Sequence, residues 1–146
     1  MAMTAVQAVV WITAGLILGV NFAAGVGGIA VLLILSLLIG LGFGALGAFL
    51  ALRTGSGEAV QGMFPVFFVF LFISSMAMPR NLIEIKWFQT AATLNPVSYL
   101  IEAIRSLIII GWDPEALALG FGVAILIAVV ALALASLSLR TRLTRS

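Results

Sequence analysis

The chain has 146 residues, of which 64% are hydrophobic and 8% charged, with a formal net charge of +2; a soluble domain has about a quarter of its residues charged, so no soluble fold hides this much apolar surface. Cysteine and histidine are absent, which excludes disulfides, thiolate metal sites and a cysteine nucleophile, together with the commonest metal ligand and neutral-pH general base. A few arginines raise the pI without building a basic field suited to nucleic acid, and the class left is an integral membrane protein.

From Met1 to Leu52 there is no Asp, Glu, Lys or Arg. One helix over that stretch would be about 78 Å long at roughly 1.5 Å per residue, against a bilayer core of about 30 Å, so the stretch crosses the membrane twice. No Lys or Arg precedes the apolar run, and it continues beyond a cleavable length, so the beginning reads as a retained span. The first span is expected over about 4–22, followed by a turn where Asn21, Gly25, Gly27 and Gly28 accumulate. The second is expected over about 29–52, and the polar loop Arg53-Thr-Gly-Ser-Gly-Glu58 follows. Ser56 is placed to cap the next helix, with Glu58 near its positive end.

A third span is expected over about 59–78, with Pro65 in its early turns and Pro79 closing it. Its aromatic run holds Phe64, Phe67 and Phe68, which are candidates for lining an apolar substrate path, with helix packing or lipid contact as the plainer account. The stretch from Pro79 to Trp112 then mixes Arg80, Glu84, Lys86, Glu102 and Arg105 with Ile, Leu and aromatics, and is amphipathic. Asn95 and Pro96 make a cap-and-proline start for a helix over about 96–110 that Gly111 ends. About 22 Å of helix is too short to span, so a re-entrant or interfacial helix is expected.

On that helix Ser98, Glu102 and Arg105 share one face and Val97, Leu100, Ile101, Ile104 and Ile108 another. Glu102 and Arg105 read as an ordinary ion pair between neighbouring turns, not a catalytic couple. Asp113-Pro114-Glu115 repeats the start signal and launches a fourth span over about 116–139, closed by Arg140, Arg142 and Arg145. Short basic flanks face the cytoplasm, which assigns both termini and the Arg53 loop to that side of the cell membrane. Tyr99, Trp87 and Trp112 fit headgroup anchors, whereas Trp11 falls mid-span and is expected to be buried in packing.

Gly42, Gly44 and Gly47 match G-x-G-x-x-G, but without the strand and following helix that give the pattern meaning for nucleotides. Those glycines, with Gly15 and Gly19 and with Gly40 and Gly44 in G-x-x-x-G spacing, read as sites of close helix approach. No P-loop motif occurs, so no cofactor is expected in this chain and ATP-driven work requires another subunit. Ionisable groups inside the spans, the usual marks of ion-coupled transport, are missing as well.

Two stretches resemble the permease subunits of ABC-2 type exporters, particularly the drug-resistance and antibiotic-efflux branch: Gly57-Glu-Ala-Val-Gln-Gly-Met-Phe-Pro65 and Asn95-Pro-Val-Ser-Tyr-Leu-Ile-Glu-Ala-Ile-Arg105. The resemblance covers nearly the whole chain but only the last four of the spans such permeases usually have, implying a truncated or short permease half. It implies a dimer with a second permease copy or paralogue, driven by ABC ATPase subunits that bind ATP and Mg, in contact with membrane lipid and not with nucleic acid. It also implies that Arg53 and Glu58 lie in a secondary cytoplasmic partner contact. By the same resemblance Asn95, Pro96, Tyr99, Glu102 and Arg105 form an outer re-entrant gate. The fold expected is an all-α polytopic bundle forming one transmembrane domain over residues 1–146. A small non-transporting membrane scaffold is the alternative, and a membrane enzyme lacks any acid, base, nucleophile or metal cluster to support it.

Overall fold

The computed structural model describes residues 2–143, so the tail arginine Arg145 lies outside the described residues. Every regular element among them is helical. Helix α1 (Ala2–Ile17) turns into α2 (Gly25–Thr54), followed by the short α3 (Gly57–Gly62) and α4 (Phe64–Phe72). A loop with one 3-10 turn at Arg80–Leu82 leads to α5 (Lys86–Leu94) and α6 (Pro96–Arg105). Helix α6 runs on into a π-helical turn, Ser106–Ile110, and α7 (Pro114–Leu143) completes the described chain.

Helices α2 and α7 are long and apolar enough to cross a membrane. Each has 30 residues, and about 45 Å of helix exceeds a core of about 30 Å. They run side by side in the same direction, Gly27 against Trp112 near their beginnings and Gly42 against Ile127 and Ala128 further along. A Cβ on Gly42 would stand 3.0 Å from Ile127 Cγ2 and 3.2 Å from the Ala128 nitrogen. Lipid tails are as apolar as leucine, so helices associate where small residues let backbones close in. Ala124, Ala128 and Ala131 are buried on that side of α7, while Ile125, Leu126, Val129 and Val130 face outward. Helix α6 lies against α7 by the same device, because a Cβ on Gly120 would come within 2.3 Å of the Ala103 Cβ.

The two remaining apolar stretches, Met3–Ile17 and Gly57–Phe72, are shorter than the full crossings expected. Helix α1 ends at Ile17, not near Phe22, because Gly19 takes φ +82° and turns the chain. The corner then docks on the π turn: Ala23 and Ala24 N–H donate to the carbonyls of Ile108 and Leu107, each at 3.1 Å. Free N–H groups before one helix thus satisfy free carbonyls at the end of another. Along α2, Thr4 meets Gly40, where a Cβ would stand 2.3 Å from Thr4 Cγ2.

The third stretch is broken at Met63, ahead of Pro65, and its helix stops at Phe72, short of Met78. Side chains of α6 take the next backbone groups: Ser98 Oγ accepts from Ser75 N–H at 3.1 Å, and Arg105 donates to the carbonyls of Ser75 and Met76. Backbone groups held this way are lost to a helical ladder. Trp11, expected to be buried, is 75% exposed, since α1 meets α2 through Thr4 and leaves the indole on the rim of a groove with Gln7 and Ile12.

A polar clasp over an apolar groove

Helices α5 and α6 are bent by 87° about Asn95. Asn95 produces that corner locally, its Oδ1 accepting from Val97 N–H at 3.0 Å with Pro96 in the first turn, because an N-cap side chain satisfies a donor the helix cannot. Its Nδ2 donates to the Phe70 carbonyl near the end of α4, so one residue both starts α6 and ties it to α4. Helix α5 itself, over Lys86–Leu94, is an element that the sequence pattern did not suggest.

Glu102 pairs with Arg80 and not with Arg105. Arg80 Nε donates to Glu102 Oε1 at 2.8 Å and Nη2 to Oε2 at 2.7 Å, while the Arg80 backbone N–H reaches Oε1 at 3.3 Å. The planar fork of arginine matches a carboxylate in this two-point manner. The guanidinium also lies 4.0 Å above the centroid of the Tyr99 ring, and the Tyr99 hydroxyl donates to the Thr93 carbonyl at 2.8 Å. Tyr99 is therefore a platform for Arg80, with its hydroxyl tying the α5–α6 corner. Burial pushes the Glu102 carboxyl upward, but hydrogen bonds from the Arg80 side chain and backbone outweigh it and leave the pKa below the ordinary glutamate value. Arg80 is raised, first by its hydrogen bond to Glu102, against the lowering from burial.

Arg105 is committed elsewhere. Its Nη2 donates to the Ser75 carbonyl at 2.7 Å and the Met76 carbonyl at 2.9 Å, and its Nη1 is buried with no partner. Glu102, Arg105 and Ser98 thus fasten the segment after α4 to α6. A cavity of about 550 Å³ adjoins the clasp, with Asp113 and Glu115 at its far wall. Asp113 caps α7 through bonds from the N–H groups of Glu115 and Ala116. Among the described residues no cluster of three acidic side chains is placed to hold a metal ion.

Alongside α6 lies a groove of about 560 Å³ between α2, α4 and α6, with no charged residue in its walls. Phe64, Phe67 and Phe68 all line it, joined by Phe43 of α2 and by Leu100 and Ile104 of α6. Phe43 meets Phe67 edge to face at 5.5 Å between centroids. The contribution of Phe43 escaped sequence reasoning, because a helix apolar all round gives no sign of which face meets the aromatics. At the other end of the molecule Ser56 caps α3, accepting from Glu58 N–H at 3.1 Å. Arg53 and Glu58 are exposed there, and the groove reaches toward them at Leu50 and Val60.

Two long apolar helices sealed by small residues, a sharply bent helix pair and an uncharged aromatic groove define a membrane-embedded helical bundle. A family model described as ABC-2 type transporter matches residues 1–109, most of the chain. The protein belongs to that family and is a membrane permease component of an ABC transporter. Neither the curated proteins nor the solved structures contain a match.

Proposed function

We propose that the chain forms one half of the permease of an ATP-driven exporter, paired with a second permease copy or paralogue and powered by a separate ATPase subunit, and that it moves an amphiphilic or hydrophobic substrate outward. The observation that carries this reading is an uncharged aromatic groove whose end near Leu71 and Val97 lies beneath the Asn95 corner and the polar fastening of α4 to α6. A substrate with an apolar body fits such walls, and drugs or antibiotics of that kind are the class the branch resemblance suggests. The Arg53 and Arg140 end faces the cytoplasm of the cell membrane, in keeping with the location of basic flanks, and the clasp faces outward. Arg53 and Glu58 serve as a contact for the partner, while Asn95, Pro96, Tyr99, Glu102 and Arg105 act as the outer gate.

Transport of this kind needs two packings that a partner stabilises differently. Helix α4 is suited to move, since the helical ladder is interrupted at Met63 and ends at Phe72, and its outer end is tied to α6 by the Asn95 side chain and by the clasp that follows. Opening the Arg80–Glu102 pair, the Arg105 bonds and the Asn95–Phe70 bond frees its outer end, while the apolar wall formed by α6 stays seated on α7. The test is co-expression with an ABC ATPase encoded beside the gene. A stable complex whose ATP hydrolysis rises with lipophilic substrates is expected, with Phe67→Ala raising the half-maximal substrate concentration about tenfold, the effect of roughly 1.4 kcal/mol of lost contact. An ATPase that never co-purifies, or hydrolysis indifferent to substrate and to Phe67, rejects the proposal.

A further inference from the structure

We propose a binding site for an anionic phospholipid in the cavity between the final turns of α2 and α7, its phosphate held by Arg53 and Ser138 and its chain root lying on Phe49, Leu52 and Leu137. The cavity measures about 460 Å³ and is walled by both helices. Because α2 and α7 run in the same direction, their polar and apolar residues are graded together along its depth. Phe49 lies deepest of those named, Leu52, Leu137 and Ser138 follow, and Arg53 and Thr141 stand nearest the helix ends.

Helix length sets the level of this gradient in the bilayer. A helix of about 45 Å centred on a core of about 30 Å extends about 7 Å beyond each face, or roughly five residues. Counting back from the end of α2 at Thr54, Phe49 falls at the hydrocarbon boundary and Arg53 at the phosphate layer, and the contact of Gly42 with Ile127 and Ala128 in this parallel pair sets Ser138 level with Arg53. An apolar floor in the acyl region beneath a guanidinium at phosphate depth has the polarity profile of a phospholipid, and differs from the surface a water-soluble partner would meet.

Charge selects the headgroup. Arg53 has neither an ion pair nor a hydrogen bond from its guanidinium among the described residues, whereas Arg80 is held by Glu102 and Arg105 by two carbonyls. Ser138 Oγ is likewise uncommitted, although the neighbouring Thr54 and Thr141 hydroxyls are spent on the carbonyls of Leu50 and Leu137. Two open donors therefore line one cavity. Glu58 is the nearest acid to Arg53 in sequence, and it is exposed beyond the Gly55 turn. Both helices direct their negative ends here, so an anion is drawn by the side chains and not by the backbone. Basic pockets between membrane helices bind anionic headgroups for this reason.

The full chain purified in neutral detergent is titrated by native mass spectrometry with phosphatidylglycerol, with phosphatidylcholine of identical chains, and with inorganic phosphate. Phosphatidylglycerol is expected to bind about tenfold tighter than phosphatidylcholine, with Arg53→Ala lowering its affinity about fivefold. Arg53→Lys should keep part of the preference, and Ser138→Ala should weaken binding about threefold. Phe49→Ala should weaken both lipids alike. Unchanged thermal melting of Arg53→Ala together with these losses supports the site. Equal binding of the two lipids, or a preference that survives Arg53→Ala, overturns it. Inorganic phosphate competing as well as the lipid overturns it in favour of a free-anion site. Loss of ATPase association by Arg53→Ala with the lipid preference intact overturns the lipid site and leaves Arg53 to the partner contact alone.

Discussion

Glu102 fixes the outer end of α6 to the loop after α4, its two oxygens accepting from three nitrogens of Arg80. Both side chains are largely buried, at 20% and 17% exposure, so the pair is screened less than one at a surface. Glu102→Gln keeps the shape and removes the charge, and should cost about 1.5–3 kcal/mol of stability, the range for hydrogen bonds to charged groups. Thermal melting in detergent checks this, with Arg80→Lys losing part of the same amount because an ammonium lacks the two-point fork. A carboxyl whose pKa is depressed by folding adds stability above its unfolded value and loses it as pH falls through the folded one. Melting of the wild type should therefore decline below the ordinary glutamate range, and Glu102→Gln should lack that component. The caps by Asn95, Ser56 and Asp113 were legible in the sequence, because each satisfies a donor within three residues. The Arg80–Glu102 pair spans 22 residues and depends on the α5–α6 bend, so the sequence suggested the nearer but wrong partner, Arg105.

Among helices, spacing patterns located the glycines but did not rank them. Gly40 and Gly42 are sites of tight approach, whereas Gly44, in the same motif, has nothing within 4 Å of a built Cβ. Gly120, the tightest contact between α6 and α7, drew no attention, although Gly120, Ala124 and Ala128 form a small-residue ladder at four-residue spacing. Gly120→Ala should destabilise by about 1–3 kcal/mol, as overpacking does. Gly44→Ala should be neutral or stabilising by up to about 1 kcal/mol, because alanine is the better helix former. Equal effects of the two substitutions in a detergent unfolding titration would contradict this account of the packing. The break of the third stretch was partly visible at Pro65, but its early end at Phe72 follows from hydrogen bonds supplied by α6 and had no local signal.

At the level of the whole molecule, sidedness is open to a clean measurement. With no native cysteine, single substitutions report accessibility without background. Asn81→Cys beside the clasp should be labelled on intact cells by a membrane-impermeant maleimide, and Glu58→Cys only after the membrane is opened. The reverse pattern would invert the proposed orientation and with it the direction of transport.

Composition and the uncharged run to Leu52 determined by themselves that lipid is the solvent of this chain and helix its backbone, since in hydrocarbon each backbone donor and acceptor must find a partner within the protein. Local chemistry at Asn95, Pro96, Asp113 and Pro114 determined where helices begin. Only the tertiary structure decided which face of each uniformly apolar helix meets a neighbour, and which distant residue answers each charge. Where nearly every side chain is apolar, hydropathy carries no directional information, and the choice of partner falls to the fit of small residues and the reach of a few polar groups.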